Sequence, residues 1–231
     1  MSEKPSARQK RKQLLQKSIL TALFAALSYG VCVLLHFPVA GFLTLDFKDA
    51  IIAIAGMFLG PVAALAAAAL SALIEFLTIS GTGVYGLIMN FVSSAAFAVT
   101  AAAVYKHRKT FSGAIIALSS GVVSMTVIMM LANLLVTPFY TGMPVGKVVS
   151  MLPTVLLPFN LIKAALNAAL VALLYKPLTA GVSRLFPDLH PRTPLKPDKK
   201  SFFLALGAVA VIVAALLVLF LVFDAKIVFG K

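Results

Sequence analysis

The sequence is poor in the residues from which most catalytic and metal chemistry is built. Cys32 is the one cysteine and stands alone in an apolar run, which excludes a disulfide framework and a CxxC metal knuckle and leaves it as a small buried hydrophobe. The three histidines, His36, His107 and His190, fall in separate segments, so no His-based metal site is expected. HExxH and GxSxG are absent, as is a clustered carboxylate pair inside the apolar runs, which argues against a protease or a proton-coupled pump. The nearest approach to a phosphate loop, Gly142 to Val148, has the wrong spacing and no Ser or Thr after Lys147. ATP hydrolysis by this chain is therefore not expected, and the chain does not read as an enzyme. Charge is scarce too: charged residues make up 12% of the 231, against 61% hydrophobic and a mean hydropathy of +1.03. No globular surface hides so much apolar area, so a soluble enzyme, a disordered tail and a nucleic-acid-binding domain are excluded. The chain is read as an integral membrane protein whose solvent is the lipid bilayer.

What charge there is has one sign and a pattern. Twenty Lys and Arg stand against seven Asp and Glu, a net +13, and most lie in three blocks. Lys4, Arg8, Lys10, Arg11, Lys12 and Lys17 precede the first apolar run. Lys106, Arg108 and Lys109 form a mid-chain cluster, and Lys176, Arg184, Arg192, Lys196, Lys199 and Lys200 occupy the last polar stretch. Such blocks mark cytoplasmic connections under the positive-inside rule, with contact to anionic lipid as a weaker second use.

The apolar runs predict a retained first helix over 18–35, then two short or tilted helices within 50–77 split by a tight turn at Gly60-Pro61. A fourth helix is expected over 87–105, a fifth over 113–136, a short surface helix near 147–152 and a sixth over 153–175. A Pro-rich linker then leads to a seventh, uniformly apolar and lipid-facing run over 202–223. With the amino terminus inside, six crossings put every Lys and Arg on the cytoplasmic side except Lys48, Lys147, Lys163, Lys226 and Lys231. The chain is then multi-pass in the plasma membrane, its amino terminus cytoplasmic and its carboxy terminus extracellular if the seventh run crosses. Turn residues, aromatics and isolated charges concentrate in the outer connections 36–49, 79–86 and 137–147, so the outer face is the expected recognition face.

Polar groups within the spans are costly, and each carries two readings. Glu75 either snorkels, pairs with a cation or belongs to a site. Asn90 and Asn133 either bond neighbouring helices or face a ligand. Asn160 and Lys163 share one face of the sixth helix at i, i+3, and Asn167 extends it. They either bind a polar ligand, or Lys163 is neutralised by Glu75 or Asp46. Asp46, Lys48 and Asp49 enter the second helix, which Asp49 can cap, from a stretch carrying apolar Leu43, Leu45 and Phe47. That stretch either folds over a cavity or lies in the interface. Ala22-x-x-x-Ala26 and Gly56-x-x-x-Gly60 permit close helix approach.

Taken in order, Leu45 to Asp49, Gly60-Pro61, Asn90, Asn133 with Thr137 to Tyr140, and Leu157 to Lys163 followed by Leu174 to Lys176 resemble a known family. It is that of the substrate-binding S-components of energy-coupling factor (ECF) transporters, in its riboflavin-binding branch, and the resemblance covers 18–178. It implies an all-α integral membrane protein, a six-helix S-component bundle with an extra C-terminal transmembrane helix here. The expected parts are a basic cytoplasmic tail (1–17), the binding domain (18–178), a cytoplasmic linker (179–200) and the additional helix with its tail (201–231). The resemblance further implies a vitamin site near the outer face closed by the first outer loop. Asn160 and Lys163 match ligand-contacting positions, and Asn133, Asp46, Leu45 and Phe47 look like further lining. Asn90, Glu75 and Asn167 complete the candidate set. Ala22 and Ala26 match the small-residue motif used against the transmembrane coupling subunit, and two separate ATPase subunits would supply ATP hydrolysis. Riboflavin would be the transported ligand, with no resident cofactor and no metal. Its flat tricycle suits an apolar slot and its hydroxyls suit Asn and Lys donors. Lys48 and the seventh run depart from the family pattern. The other readings are an S-component for pantothenate or a pyrimidine precursor, a self-sufficient secondary carrier, and a scaffold with no small ligand.

Overall fold

The computed structural model describes residues 6–40, 42–185 and 199–223. Expectations for the linker over 186–198, including His190, Arg192 and Lys196, and for Lys226 and Lys231 lie outside the described residues. Among the described residues the architecture is helical apart from one hairpin, and five helices are long and apolar enough to cross a membrane.

Helix α1 (Ala7–Leu34) starts well before the expected boundary. Ser6 and Gln9 form a reciprocal capping box, so the basic segment after residue 6 is wound onto the first apolar run. Cys32 is fully buried in α1, as expected. The following stretch is an antiparallel hairpin, β1 (His36–Ala40) and β2 (Leu43–Asp46), with His36 opposite Asp46 and Phe37 opposite Leu45.

Helix α2 (Lys48–Leu59) packs against α1, α3 (Pro61–Thr78), α4 (Gly83–His107) and α7 (Leu157–Leu185). At about 1.5 Å per residue its 12 residues span about 18 Å, short of a ~30 Å hydrocarbon core. Protein encloses it instead, since residues 48–58 are all buried, so its length need not match the bilayer. The turn to α3 falls where expected: Gly60 adopts φ 112° and Pro61 opens the next helix. Gly56 serves packing. A Cβ there would lie 2.6 Å from Ala64 Cβ and 2.9 Å from Ala102 Cβ, so α2, α3 and α4 meet at contact distance. Around Gly60 the space is open, and only its conformation requires glycine.

Helix α5 (Phe111–Thr141) runs past the expected end near Val136, and α7 runs through Pro177 to Leu185. Pro138 and Pro177 thus lie inside helices, where a connection and a linker were expected. Thr141 Oγ1 donates to Thr137 O at 2.7 Å and Thr179 Oγ1 to Tyr175 O at 2.6 Å, close to the prolines but not at the carbonyls one turn back, of residues 134 and 173, that each proline leaves without an N–H. Short α6 (Val145–Met151) passes into α7 through one π-helical turn, Leu152–Leu156. Helix α8 (Lys199–Phe223) packs on α7 and touches β1. Its small residues Ala208 and Ala215 are buried, and Ala215 joins an apolar cluster with Val39, Leu43, Leu45 and Phe159. Leu206, Val209, Val213 and Leu217 face outward, in keeping with a lipid-facing helix that keeps one seam against the bundle.

Candidate functional site

The connections at one end of the bundle surround a cavity of about 350 Å³. The hairpin contributes His36, Leu43 and Thr44, the α3–α4 connection Ser80, Gly81 and Thr82, and the end of α5 Tyr140. All three segments expected to form the recognition face thus meet around one cavity. Helix directions give it depth. Helices α3 and α5 rise toward the mouth and α4 and α7 descend from it, so Glu75, Ser93, Met129 and Lys163 are the lining residues farthest down their helices. Aromatic rings gather at the mouth. Phe42 meets Tyr140 edge-on at 5.4 Å between centroids, and Tyr85 stacks on Tyr140 at 6.2 Å. The cavity therefore combines an aromatic entrance with a polar floor.

A line of charge runs behind and through its wall. Lys163 Nζ donates to Asp46 Oδ2 at 2.8 Å, and Lys48 Nζ lies 3.9 Å from the same oxygen. Lys48 also pairs with Glu75, whose other oxygen accepts from Asn90 Nδ2 at 2.6 Å. These five residues link α7, β2, α2, α3 and α4. Burial alone would raise the Asp46 carboxyl, but the ammonium groups of Lys163 and Lys48 outweigh it and hold Asp46 below the usual carboxylate range. Lys163 is thus neutralised by Asp46, one of the partners the sequence allowed, and it lines the cavity as well.

Five of the sequence-predicted residues line the cavity: Asn160, Lys163, Asn133, Asn90 and Glu75. Asn133 Nδ2 donates to Met129 O at 2.7 Å and its Oδ1 accepts from Thr137 Oγ1 at 3.0 Å. Asn160 Nδ2 donates to Leu156 O, in the π-helical turn, at 2.8 Å.

The others stand behind the wall. Leu45 is in the apolar cluster under the hairpin, and Phe47 meets Phe37 edge-on at 6.2 Å. Asp46 backs Lys163. Asn167 is fully buried and acts as a clamp: Oδ1 accepts from Ala50 N at 2.8 Å, while Nδ2 donates to Asp46 O at 3.2 Å and Lys163 O at 3.0 Å. It thus satisfies a free N–H at the start of α2 and ties the hairpin to α7. Asp49 does not take that capping role. Its side chain makes no cap bond and instead accepts from Ser94 Oγ at 2.5 Å, because α7 delivers Asn167 to the helix end.

Sequence reasoning missed His36, Thr44, Ser93, Met89 and Met129. Ser93 lies three residues after Asn90, so helical spacing from a recognised polar position would have found it. His36 and Thr44 needed the hairpin register. Ala22 and Ala26 do not line the cavity and lie exposed on α1 beside exposed Leu23 and Leu27.

Comparison with known proteins gives this geometry a family. The family model described as "ECF transporter, substrate-specific component" matches residues 13–175. The riboflavin transporter RibU of Staphylococcus aureus is 30% identical over 187 residues, covering 77% of this chain and 95% of that protein. The riboflavin transporter FmnP of Bacillus subtilis is 27% identical over 173 residues, covering 69% and 90%. A solved structure described as the S component of a bacterial ECF transporter superposes with a TM-score of 0.61 at 28% identity, covering 76% of this chain and 99% of that one. The matched region holds the whole cavity and ends before α8. On the family model's extent and the length of the relatives covered, this chain belongs to the substrate-specific components of ECF transporters.

Proposed function

We propose that this protein is the substrate-binding component of an ECF vitamin importer and that its ligand is riboflavin. The observation that carries the reading is the cavity itself. At about 350 Å³ it falls within the range of about 300–1,000 Å³ found for small-molecule sites. Its aromatic mouth suits a flat tricycle, and its floor of Ser93, Glu75 and Lys163, with Asn90, Asn133 and Asn160 on the walls, suits neutral hydrogen-bonding groups. The names of both curated relatives support the same ligand.

In this reading riboflavin enters from outside, and Asn160, Lys163 and Asn133 hold it under the hairpin. Asp46 and Asn167 keep Lys163 and the hairpin in place. The exposed Ala22 and Ala26 face of α1 meets the transmembrane coupling subunit, since small residues let a partner helix approach closely. Two ATPase subunits supply the energy, and the loaded protein releases its vitamin on the cytoplasmic side.

The test is the absorption spectrum of the protein purified in detergent from cells grown in rich medium. Co-purified flavin, seen as its two visible and near-ultraviolet bands, is expected, and changing Asn160 and Lys163 to Ala should remove it. A colourless protein that fails to quench added riboflavin fluorescence would overturn the ligand while leaving the family membership intact.

A further inference from the structure

Buried hydroxyls in this chain mostly bond back to their own helix. Thr21 donates to Lys17 O, Ser28 to Ala25 O and Thr126 to Val122 O, each at 2.8 Å. This is the ordinary arrangement for Ser and Thr in an apolar helix, where no water offers an alternative. Ser71 and Ser93 depart from it, and of the two only Ser93 lines the cavity. Ser93 is only 3% exposed, and its Oγ has no hydrogen-bond partner, although a helical carbonyl lies one turn back along α4. Its neighbour Ser94 is committed, donating to Asp49. A buried hydroxyl without a partner costs free energy, and here that cost falls at the deepest point where α4 meets the cavity.

The surroundings define what would satisfy it. The charged groups at the same depth are already engaged, Glu75 with Lys48 and Lys163 with Asp46. A charged end of a ligand would gain no free counter-ion there, whereas a neutral group that donates or accepts one hydrogen bond would complete Ser93. We infer that Ser93 is a ligand-binding and specificity-determining residue, which hydrogen-bonds a neutral polar atom on the leading end of the ligand. The inference rests on the riboflavin reading above and extends it. Riboflavin offers such an atom at either end, a hydroxyl of its ribityl chain or a carbonyl or N–H of its ring system.

Flavin fluorescence titration of wild type, Ser93→Ala and Ser94→Ala, with thermal unfolding of each in the absence of ligand, tests this. Ser93→Ala should weaken riboflavin binding about tenfold, the size of one hydrogen bond to a buried group. Its ligand-free unfolding temperature should stay the same or rise, because no protein hydrogen bond is lost. Ser94→Ala should instead lower that temperature. Lumiflavin, which keeps the ring and lacks the ribityl chain, identifies the atom. If Ser93→Ala weakens both flavins, the partner is on the ring; if only riboflavin weakens, it is a ribityl hydroxyl. Riboflavin affinity within about twofold of wild type, or a ligand-free destabilisation matching that of Ser94→Ala, overturns the assignment. Wild-type protein that binds neither flavin overturns the ligand reading, and this inference with it.

Discussion

Lys48 and Lys163 are both nearly fully buried, and an ammonium taken from water persists only where its charge is matched. Asp46 is the carboxylate they share, at 3.9 and 2.8 Å, and the clamp of Asn167 on the Asp46 backbone fixes where that carboxylate stands. Asp46→Ala leaves Lys163 without its nearest counter-charge and should destabilise the ligand-free protein by about 3–5 kcal/mol, measured by unfolding in mixed detergent micelles. Replacing Lys163 by Met in the same chain removes the stranded charge and should restore much of that loss, while riboflavin binding stays impaired. A double variant no more stable than Asp46→Ala would show that Asp46 acts through the hairpin and not through Lys163. The candidate residues on α7 were legible from helical spacing alone, because Asn160, Lys163 and Asn167 share a face whatever else the chain does. Which acid meets Lys163 was not legible, since Asp46 is 117 residues away and only the folded hairpin brings it there.

The two glycines at the end of α2, Gly56 in its last turn and Gly60 just past it, look alike as a small-residue motif and do different work. At Gly56 a methyl group would press into Ala64 and Ala102, and overpacking of this kind costs about 1–3 kcal/mol. At Gly60 nothing is nearby, but φ 112° is a conformation that a side chain resists at a cost of about 1–3 kcal/mol. Gly56→Ala and Gly60→Ala should therefore lower thermal stability by similar amounts, and a second change separates them. Ala64→Gly removes the closer of the two contacts and should rescue Gly56→Ala in part, because Ala102 still stands 2.9 Å away, but should leave Gly60→Ala as unstable as before. Equal rescue of both would mean that the turn, and not the contact, sets the position of α2. Elements were legible from the sequence where apolar length and turn chemistry agreed, as at Gly60-Pro61. They were not where proline gave the wrong signal. Pro138 and Pro177 fall where a loop and a linker were expected, yet both helices continue through them. Pro38 likewise masked a strand of the hairpin, although alternation in β2 buries Leu43 and Leu45 on one side.

Across the whole molecule, the cavity and the basic charge lie at opposite ends. The hairpin, the α3–α4 connection and the end of α5 surround the cavity, and its lining carries one lysine, Lys163, already paired with Asp46. The start of α1 with Arg8, Lys10, Arg11, Lys12 and Lys17, and the α4–α5 connection with Lys106, Arg108 and Lys109, belong to the other end, as do Lys176 and Arg184 at the end of α7. The positive-inside rule predicts the basic end cytoplasmic and the cavity open to the outside, the orientation an importer needs in order to capture its ligand. Because Cys32 is buried, a cysteine placed elsewhere can be read without first removing it. Cysteine in place of Ser80, at the cavity mouth, should react with a membrane-impermeant maleimide on intact cells, and saturating riboflavin should slow that reaction. Cysteine in place of Arg108 should react only after the cells are permeabilised. The reverse pattern would put the basic end outside and the cavity inside, and would overturn uptake from the outer face even if the purified protein bound flavin tightly.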